Sequence, residues 1–262
     1  MRIGFLGAGR MGAPMVRRLA DAGHQVRVLG RDDEKRAAVA ELGATPVSSP
    51  REAVEGVDVA IVCVFTDEQV RELCPDLLDA LPEGSILVLH TTGSPRTAEA
   101  LAERGAARGI AVIDAPVSGG PHDIAAGTIT VFAGGPDDAV ARAREALAAY
   151  ADPVLHVGPV GAGQRVKLVN NALFAAQIGV VAEGVRLGDR LGIDEATLLS
   201  ALTHGSAASR ALGGIAATGS ADAFIARVGE FIGKDVAVVR RTASELDSDL
   251  GRLEGLLDVA VN

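Results

Sequence analysis

Short aliphatic runs and helical spacings alternate along the first part of the chain. Ile3–Leu6 is an apolar run that predicts a strand. Met15, Val16, Leu19 and Ala20 then recur at helical spacing within Ala13–Ala22. Gln25–Leu29, Val59–Phe65, Ile86–Leu89 and Ala111–Ile113 predict further strands, with helices over Asp33–Leu42, Val70–Ala80 and Pro95–Gly109. Thr128–Ala133 and Val154–Val157 predict later strands around a helix from Pro136 to Tyr150. Strands alternating with helices imply βαβ crossovers and a mostly parallel, doubly wound α/β sheet.

The pattern changes at Gly158-Pro159-Val160-Gly161-Ala162-Gly163, a glycine cluster that reads as a hinge, and no convincing strand follows it. Gln164–Leu191 predicts one helix of about 28 residues, about 42 Å long at 1.5 Å per residue. It is apolar around most of its circumference and is therefore expected to be buried on most sides. Shorter helices are expected over Asp194–Leu202, Ala221–Arg227 and Val236–Leu246. The chain is thus expected to divide near residue 160. Residues 1–160 would form the α/β domain, and residues 161–262 an all-α domain built around the one long helix. So small a helical unit is expected to complete its core by pairing with a second copy, as a homodimer or homotetramer.

Composition narrows the picture. With no Trp, one Tyr and six Phe, the core must be aliphatic. A formal net charge of -9, with no run of lysine or arginine against it, argues against nucleic acid as a partner but leaves a small anionic substrate open. Cys63 and Cys74 make no disulfide framework, and Cys63 lies in an apolar run as a small core residue, which fits a reducing cytoplasm. The start of the chain reads as a strand rather than a leader. The most apolar stretch, Leu168–Val185, contains Asn170, Asn171, Gln177 and Glu183, so no membrane span is expected. His24, His156 and His204 lack the spacing of metal ligands, and no metal is expected.

Three motifs carry chemistry. Gly7-Ala8-Gly9-Arg10-Met11-Gly12 fits G-x-G-x-x-G directly after a strand and at the opening of a helix, the context of a Rossmann-type dinucleotide site. Gly7 permits the tight turn, Gly9 lets the backbone approach the pyrophosphate, and Gly12 allows close helix–strand packing. The end of the second strand selects the cofactor. Gly30 supplies no carboxylate and Arg31 follows, which favours NADP over NAD, with Lys35 in support; Asp32 and Asp33 keep NAD open.

The second motif, Asp114-Ala115-Pro116-Val117-Ser118-Gly119-Gly120, offers a hydroxyl and unencumbered backbone N–H groups at Ser118, Gly119 and Gly120, a cradle for a carboxylate. The third is Gly158-x-x-Gly161-x-Gly163-x-x-x-Lys167-x-x-x-Asn171. Lys167 and Asn171 share a helix face that continues through Phe174 and Ile178. Desolvation and the positive helix end are expected to lower the Lys167 pKa into a range useful for proton transfer.

With the late pair Lys234-Asp235, these motifs stand in an order that resembles the β-hydroxyacid dehydrogenases. That family includes 3-hydroxyisobutyrate dehydrogenase, tartronate semialdehyde reductase and the glyoxylate and succinic semialdehyde reductases. The first domain is also similar to the NAD-binding domain of 6-phosphogluconate dehydrogenase, although the helical part is too short for that enzyme. The resemblance implies hydride transfer between the nicotinamide and a short β-hydroxyacid or semialdehyde, with Lys167 as acid/base. Asn171, and by a further contact Asn170, would orient the substrate, and Ser118, Gly119 and Gly120 would hold its carboxylate. It also implies that Phe65, Thr66 and Thr92 line the cofactor cleft and that Lys234 reaches the nicotinamide side, steadied by Asp235.

The chain departs from the family at His90, where an acidic residue is usual, and at Pro121-His122-Asp123, where small residues are usual. It departs again at Arg227, for which Phe231 would substitute, and at its end at Asn262, short of the family's last helix. His122 and Asp123, beside the carboxylate cradle, are candidates for tuning substrate choice. Two rival readings remain: an imine reductase-like enzyme acting on C=N bonds, which would usually lack the lysine, and a non-catalytic NADP-binding module.

Overall fold

Nine strands build one sheet: β1 (Arg2–Leu6), β2 (Gln25–Leu29), β3 (Thr45–Val47), β4 (Val59–Val62), β5 (Ile86–Leu89), β6 (Ala111–Asp114), β7 (Val117–Ser118), β8 (Ile129–Gly134) and β9 (Ala151–Gly158). The computed structural model describes residues 1–261. The strand order is β3-β2-β1-β4-β5-β6-β8-β7, with β9 beside β8. β1 to β6 are mutually parallel, β8 runs antiparallel to β6 and β7, and β9 pairs parallel with β8. The order 3-2-1-4-5-6 is that of a doubly wound dinucleotide-binding sheet, in which the chain reverses direction of winding between β1 and β4.

Side-chain alternation distributes the aliphatic residues to both faces. Ile3, Phe5, Val59, Ile61, Ile86, Val88 and Ile113 pack on α1 (Gly12–Asp21), α2 (Asp33–Glu41), α6 (Pro121–Ala126) and α7 (Asp137–Leu147). Leu6, Ala60, Val62, Leu87, Leu89 and Val112 pack on α3 (Pro50–Val54), α4 (Asp67–Ala80) and α5 (Pro95–Ala106). A strand covered on both faces is hydrophobic throughout, which is why these runs read as continuous in the sequence.

Four elements here escaped the sequence reading: β3, α3, β7 and α6. Each has six residues or fewer, too short for a period to be recognised. The strand expected over Val59–Phe65 ends at Val62. Beyond it, Thr66 opens α4 with a capping box whose partner is Gln69, and the Gln69 side chain also accepts from Phe65 N at 2.9 Å. Cys63 consequently sits half-buried at the rim of the core rather than within it, whereas Cys74 is buried, its thiol pushed up to about 12 by desolvation.

The compact units divide between Lys167 and Leu168, inside α8 (Ala162–Arg190), where the sequence reading expects the boundary near residue 160. The first turn of α8 is hydrogen-bonded into the sheet unit, so the glycine cluster before it is not a free hinge.

The second unit is helical: the remainder of α8, then α9 (Glu195–Leu202), α10 (Arg210–Thr218), α11 (Ala221–Glu245), a 3₁₀ turn at Gly251–Leu253 and α12 (Glu254–Val261). Ala172, Ala175, Ile178 and Ala182 of α8 join Leu212, Ile215, Phe224, Ile232, Val236, Val239 and Leu257 in its core. α11 is one helix where two are expected. Gly229 and Gly233 weaken a helix interior by about 1 kcal/mol each but keep their N–H groups, and the apolar stripe from Phe224 to Val239 runs straight through them.

By length and composition alone α8 is apolar enough to cross a bilayer. Its buried residues nevertheless form the core just described. One flank, Val169, Leu173, Val180, Leu187 and Leu191, is exposed, against the expectation of burial on most sides, because four shorter helices cannot surround one of 29 residues.

Candidate active site

The parallel strands end on one edge of the sheet, and the loops leaving that edge carry most of the candidate residues. Gly7 to Gly12 lies between β1 and α1. Gly7 has φ +103°, and a Cβ there would overlap the carbonyl of Cys63 on the neighbouring strand end. A Cβ at Gly12 would overlap Gly7 O and press on the Phe5 ring. Gly9, by contrast, faces open space, with nothing within 4 Å of such an atom. Ala8 and Met11 are half-buried, Arg10 is exposed, and α1 has no side-chain cap and no acid in its first turn. A turn packed tightly below and open above, beneath free helix N–H groups, suits a pyrophosphate.

At the end of β2, Asp32 accepts from Lys35 N at 2.8 Å as the cap of α2 and pairs with Lys35 Nζ at 3.0 Å. These bonds hold its carboxyl below the ordinary range. Asp33 pairs with Arg36, whose Nη1 donates to Gly30 O at 3.0 Å. Arg31 is exposed and makes no hydrogen bond or ion pair among the described residues. After β4, Phe65 is 55% exposed, and the Thr66 hydroxyl is engaged as the cap of α4.

The loop after β5 is tied down on both sides of Thr92. Thr91 Oγ1 donates to Val64 O at 3.0 Å and accepts from Val64 N at 3.1 Å. Asp67, buried at the start of α4, accepts from Ser94 N at 3.3 Å and Thr97 Oγ1 at 2.9 Å. Thr92 itself is half-buried and makes no hydrogen bond among the described residues.

His90 joins this loop to the next. Its Nδ1 lies 2.6 Å from Ala115 O, and a carbonyl only accepts, so Nδ1 carries the proton. Nε2 then accepts from the Tyr150 hydroxyl at 2.7 Å. The departure at His90 is therefore a buried, fully bonded link rather than a vacancy in the loop.

At the end of β6 the side chain of Asp114 is fully buried. It accepts from Gly161 N at 2.6 Å and Gln164 N at 2.7 Å, capping α8 from another element. The positive end of α8, read in the sequence as acting on Lys167, is met by this carboxylate. Ser118 is half-buried on β7 with no hydrogen bond to its hydroxyl among the described residues. Gly119 is exposed with φ +135°. The N–H of Gly120, expected to be open, donates to Asp123 Oδ2 at 2.7 Å, which opens α6. His122 is exposed, with Nε2 3.4 Å from Asp123 Oδ1.

Along α8, Gln164, Lys167 and Asn171 are all buried, Lys167 at 8% and Asn171 at 7% exposure. The spacing i, i+3, i+7 puts them on one stripe of an otherwise apolar helix. Asn170 Nδ2 donates to Asn171 Oδ1 at 3.2 Å, and Asn171 Nδ2 is buried without an acceptor among the described residues. Lys234 and Asp235 are half-buried in the middle of α11, in the second unit. Arg227 stacks over Phe224 with its guanidinium carbon 5.3 Å from the ring centroid, while Phe231 is exposed. No metal-binding group of His, Cys, Asp or Glu is found among the described residues. Asp114 and His90, and Asp67 in its bonds to Ser94 and Thr97, carry no signal in the sequence because these partners lie far away in the chain.

Two of these buried groups pull stability in opposite directions with pH. Burial pushes the His90 pKa down to about 4 from 6.5, so its contribution is full above 6.5 and is lost as pH falls towards 4. Burial pushes the Asp114 carboxyl up to about 6 from 3.8, so its contribution is full below 3.8 and is lost as pH rises to about 6. On acidification from pH 6.5 to pH 4, calorimetry should show the Tm of His90→Phe gaining on the wild type and that of Asp114→Asn losing to it. Parallel Tm curves for all three proteins would remove both assignments.

Comparison with known proteins covers nearly the whole chain. The NAD binding domain of 6-phosphogluconate dehydrogenase matches residues 2–158, and the NAD-binding region of NADP-dependent 3-hydroxyisobutyrate dehydrogenase matches residues 161–254. A 3-hydroxyisobutyrate dehydrogenase of Pseudomonas aeruginosa is 36% identical over 213 residues, 80% of this chain and 72% of the relative. An NAD-dependent L-serine dehydrogenase of the same organism is 35% identical over 214 residues, with the same two coverages. Among solved structures, the Mycobacterium tuberculosis 3-hydroxyisobutyrate dehydrogenase with L-serine superposes with a TM-score of 0.89 at 28% identity, over 99% of this chain and 92% of that one.

Proposed function

The chain belongs to the β-hydroxyacid dehydrogenase family, NAD(P)-dependent dehydrogenases acting on CH–OH donors, and from that premise we propose that it interconverts a short β-hydroxyacid and its semialdehyde with Lys167 as the acid/base. The observation that carries this reading is the buried polar stripe of α8, with an ionisable amine and the unsatisfied Asn171 amide side by side on an apolar helix. The Asn171 N–H, buried without an acceptor among the described residues, costs roughly 1–3 kcal/mol while unmade, which supports a polar ligand there.

Bound nicotinamide supplies or accepts the hydride. In the reducing direction the Lys167 ammonium stabilises the charge growing on the carbonyl oxygen and donates a proton to it; in the oxidising direction the neutral amine takes the hydroxyl proton. Asn171 donates its free N–H to the same substrate, with Asn170 behind it. The Ser118 hydroxyl and the Gly119 N–H hold the carboxylate, while Gly120, its own N–H engaged, leaves the approach open. Phe65, Thr66 and Thr92 line the cofactor side.

NADP is the proposed cofactor. Asp32 and Asp33 are both engaged with basic residues of α2, and the unpaired Arg31 remains for a 2′-phosphate. Charge-assisted hydrogen bonds contribute about 1.5–3 kcal/mol. Arg31→Ala is therefore expected to weaken NADPH roughly 10–100-fold and NADH much less; equal weakening of the two would overturn the assignment. The activity itself is tested by following nicotinamide absorbance with a panel of short semialdehydes and β-hydroxyacids. NADPH binding with no turnover of any of them would defeat the reading and favour a cofactor-binding module.

A further inference from the structure

Beyond the residues assigned above, the side chain of Gln164 makes two bonds that no motif reading anticipates. Its Nε2 donates to Thr91 O at 2.8 Å, and its Oε1 accepts from Gly93 N at 3.0 Å. One planar amide thereby brackets Thr92, the residue of this loop proposed above to line the cofactor side. The amide is itself held from behind, because Gln164 N donates to the buried carboxylate of Asp114 at 2.7 Å. Lys167 follows three residues later on the same helix flank. A path of two side-chain hydrogen bonds and less than one helical turn therefore runs from the Thr91–Gly93 loop to the amine proposed to move the proton.

We propose that Gln164 is a positioning residue, which fixes the first turn of α8 against the Thr91–Gly93 loop and so holds the proton carrier in register with the hydride. The inference rests on the proposed dehydrogenase reading. Hydride and proton must reach adjacent atoms of one substrate, and a misplacement of about 1 Å at such a centre can cost 10²-fold in rate. Both ends of the Gln164 side chain are spent on the loop, so it would act through Lys167 and Thr92. Its amide can do what neither a carboxylate nor an apolar side chain can, donating to a carbonyl and accepting from an N–H within one plane.

The test compares the wild type with Gln164→Met and Gln164→Glu, using NADPH and the best semialdehyde of the panel. Gln164→Met, similar in length and without both bonds, should lower kcat by about 10–100-fold. Its NADPH affinity, followed by nicotinamide fluorescence, should stay within about 3-fold, a smaller change than the loss of one ordinary hydrogen bond. The deuterium isotope effect on kcat, with NADPH labelled at the transferred position, should rise as the chemical step becomes limiting. Gln164→Glu retains the acceptor for Gly93 N, and its protonated carboxyl regains a donor for Thr91 O. Its kcat relative to the wild type should therefore climb as the pH is lowered.

A Gln164→Met enzyme with wild-type kcat and isotope effect would overturn the proposal. So would a loss of NADPH affinity and Tm with kcat at saturation unchanged, which would mark Gln164 as a structural residue only. Absence of wild-type turnover with any substrate would instead sink the dehydrogenase reading, and this inference with it. That outcome is distinguishable, because it is read before any variant is made.

Discussion

Lys167→Ala is expected to lower kcat by about 10²–10⁴-fold while leaving NADPH binding within a few-fold of the wild type. The magnitude is that of general acid–base help, because the methyl side chain removes the proton carrier and leaves the hydride donor in place. The separation of effects follows from position. Lys167 lies on α8, whereas the pyrophosphate loop is Gly7 to Gly12 between β1 and α1. Steady-state rates with semialdehyde and NADPH, together with a fluorescence titration of NADPH, measure the two effects independently. Near-wild-type kcat would remove the lysine from the mechanism. Lys167→Arg is a useful companion: it keeps a cation but cannot give up its proton, so it should stay far below the wild type in both directions.

Gly163→Ala is expected to damage both stability and turnover. A Cβ at Gly163 would overlap the carbonyl of Phe132 and lie 2.8 Å from Asp114 O and 2.9 Å from Asp114 Oδ2. Two of these three atoms are backbone in strands of the sheet, so the helix must move rather than its neighbours. Overpacking of this kind costs about 1–3 kcal/mol, or a Tm loss of roughly 2–10 °C for a protein of this size. The displaced turn carries Gln164 and Lys167, so kcat should fall by about 10²-fold as well. Calorimetry and steady-state rates check the pair of effects. An unchanged Tm would show that the first turn of α8 does not approach β6 and β8 this closely.

That glycine shows where sequence reading stops. Gly158-x-x-Gly161-x-Gly163 was legible as a cluster, but a flexible hinge and a close helix–sheet contact both call for glycine. The two differ only in what stands opposite, and here it is Asp114 and Phe132. The same limit applies to Asp32, which reads equally as a ribose ligand or a helix cap, and to Gly120, whose N–H is free in the sequence and engaged by Asp123 in the fold.

Local periodicity was sufficient for most of the rest. Alternating aliphatic runs specified the parallel sheet, and G-x-G-x-x-G between a strand and a helix specified the phosphate turn. The four-residue step from Lys167 to Asn171 specified a shared helix face. These are properties of neighbouring residues, and the backbone geometry that interprets them is the same in every protein.

Tertiary structure alone decided which groups are held and which remain available to a ligand. Asp114 reaches Gly161 and Gln164 across 47 and 50 residues, and Gln164 reaches Thr91 and Gly93 across 73 and 71. No periodicity records such a pairing. It arises because buried polar groups must find partners once the strands have brought distant loops to the same edge of the sheet.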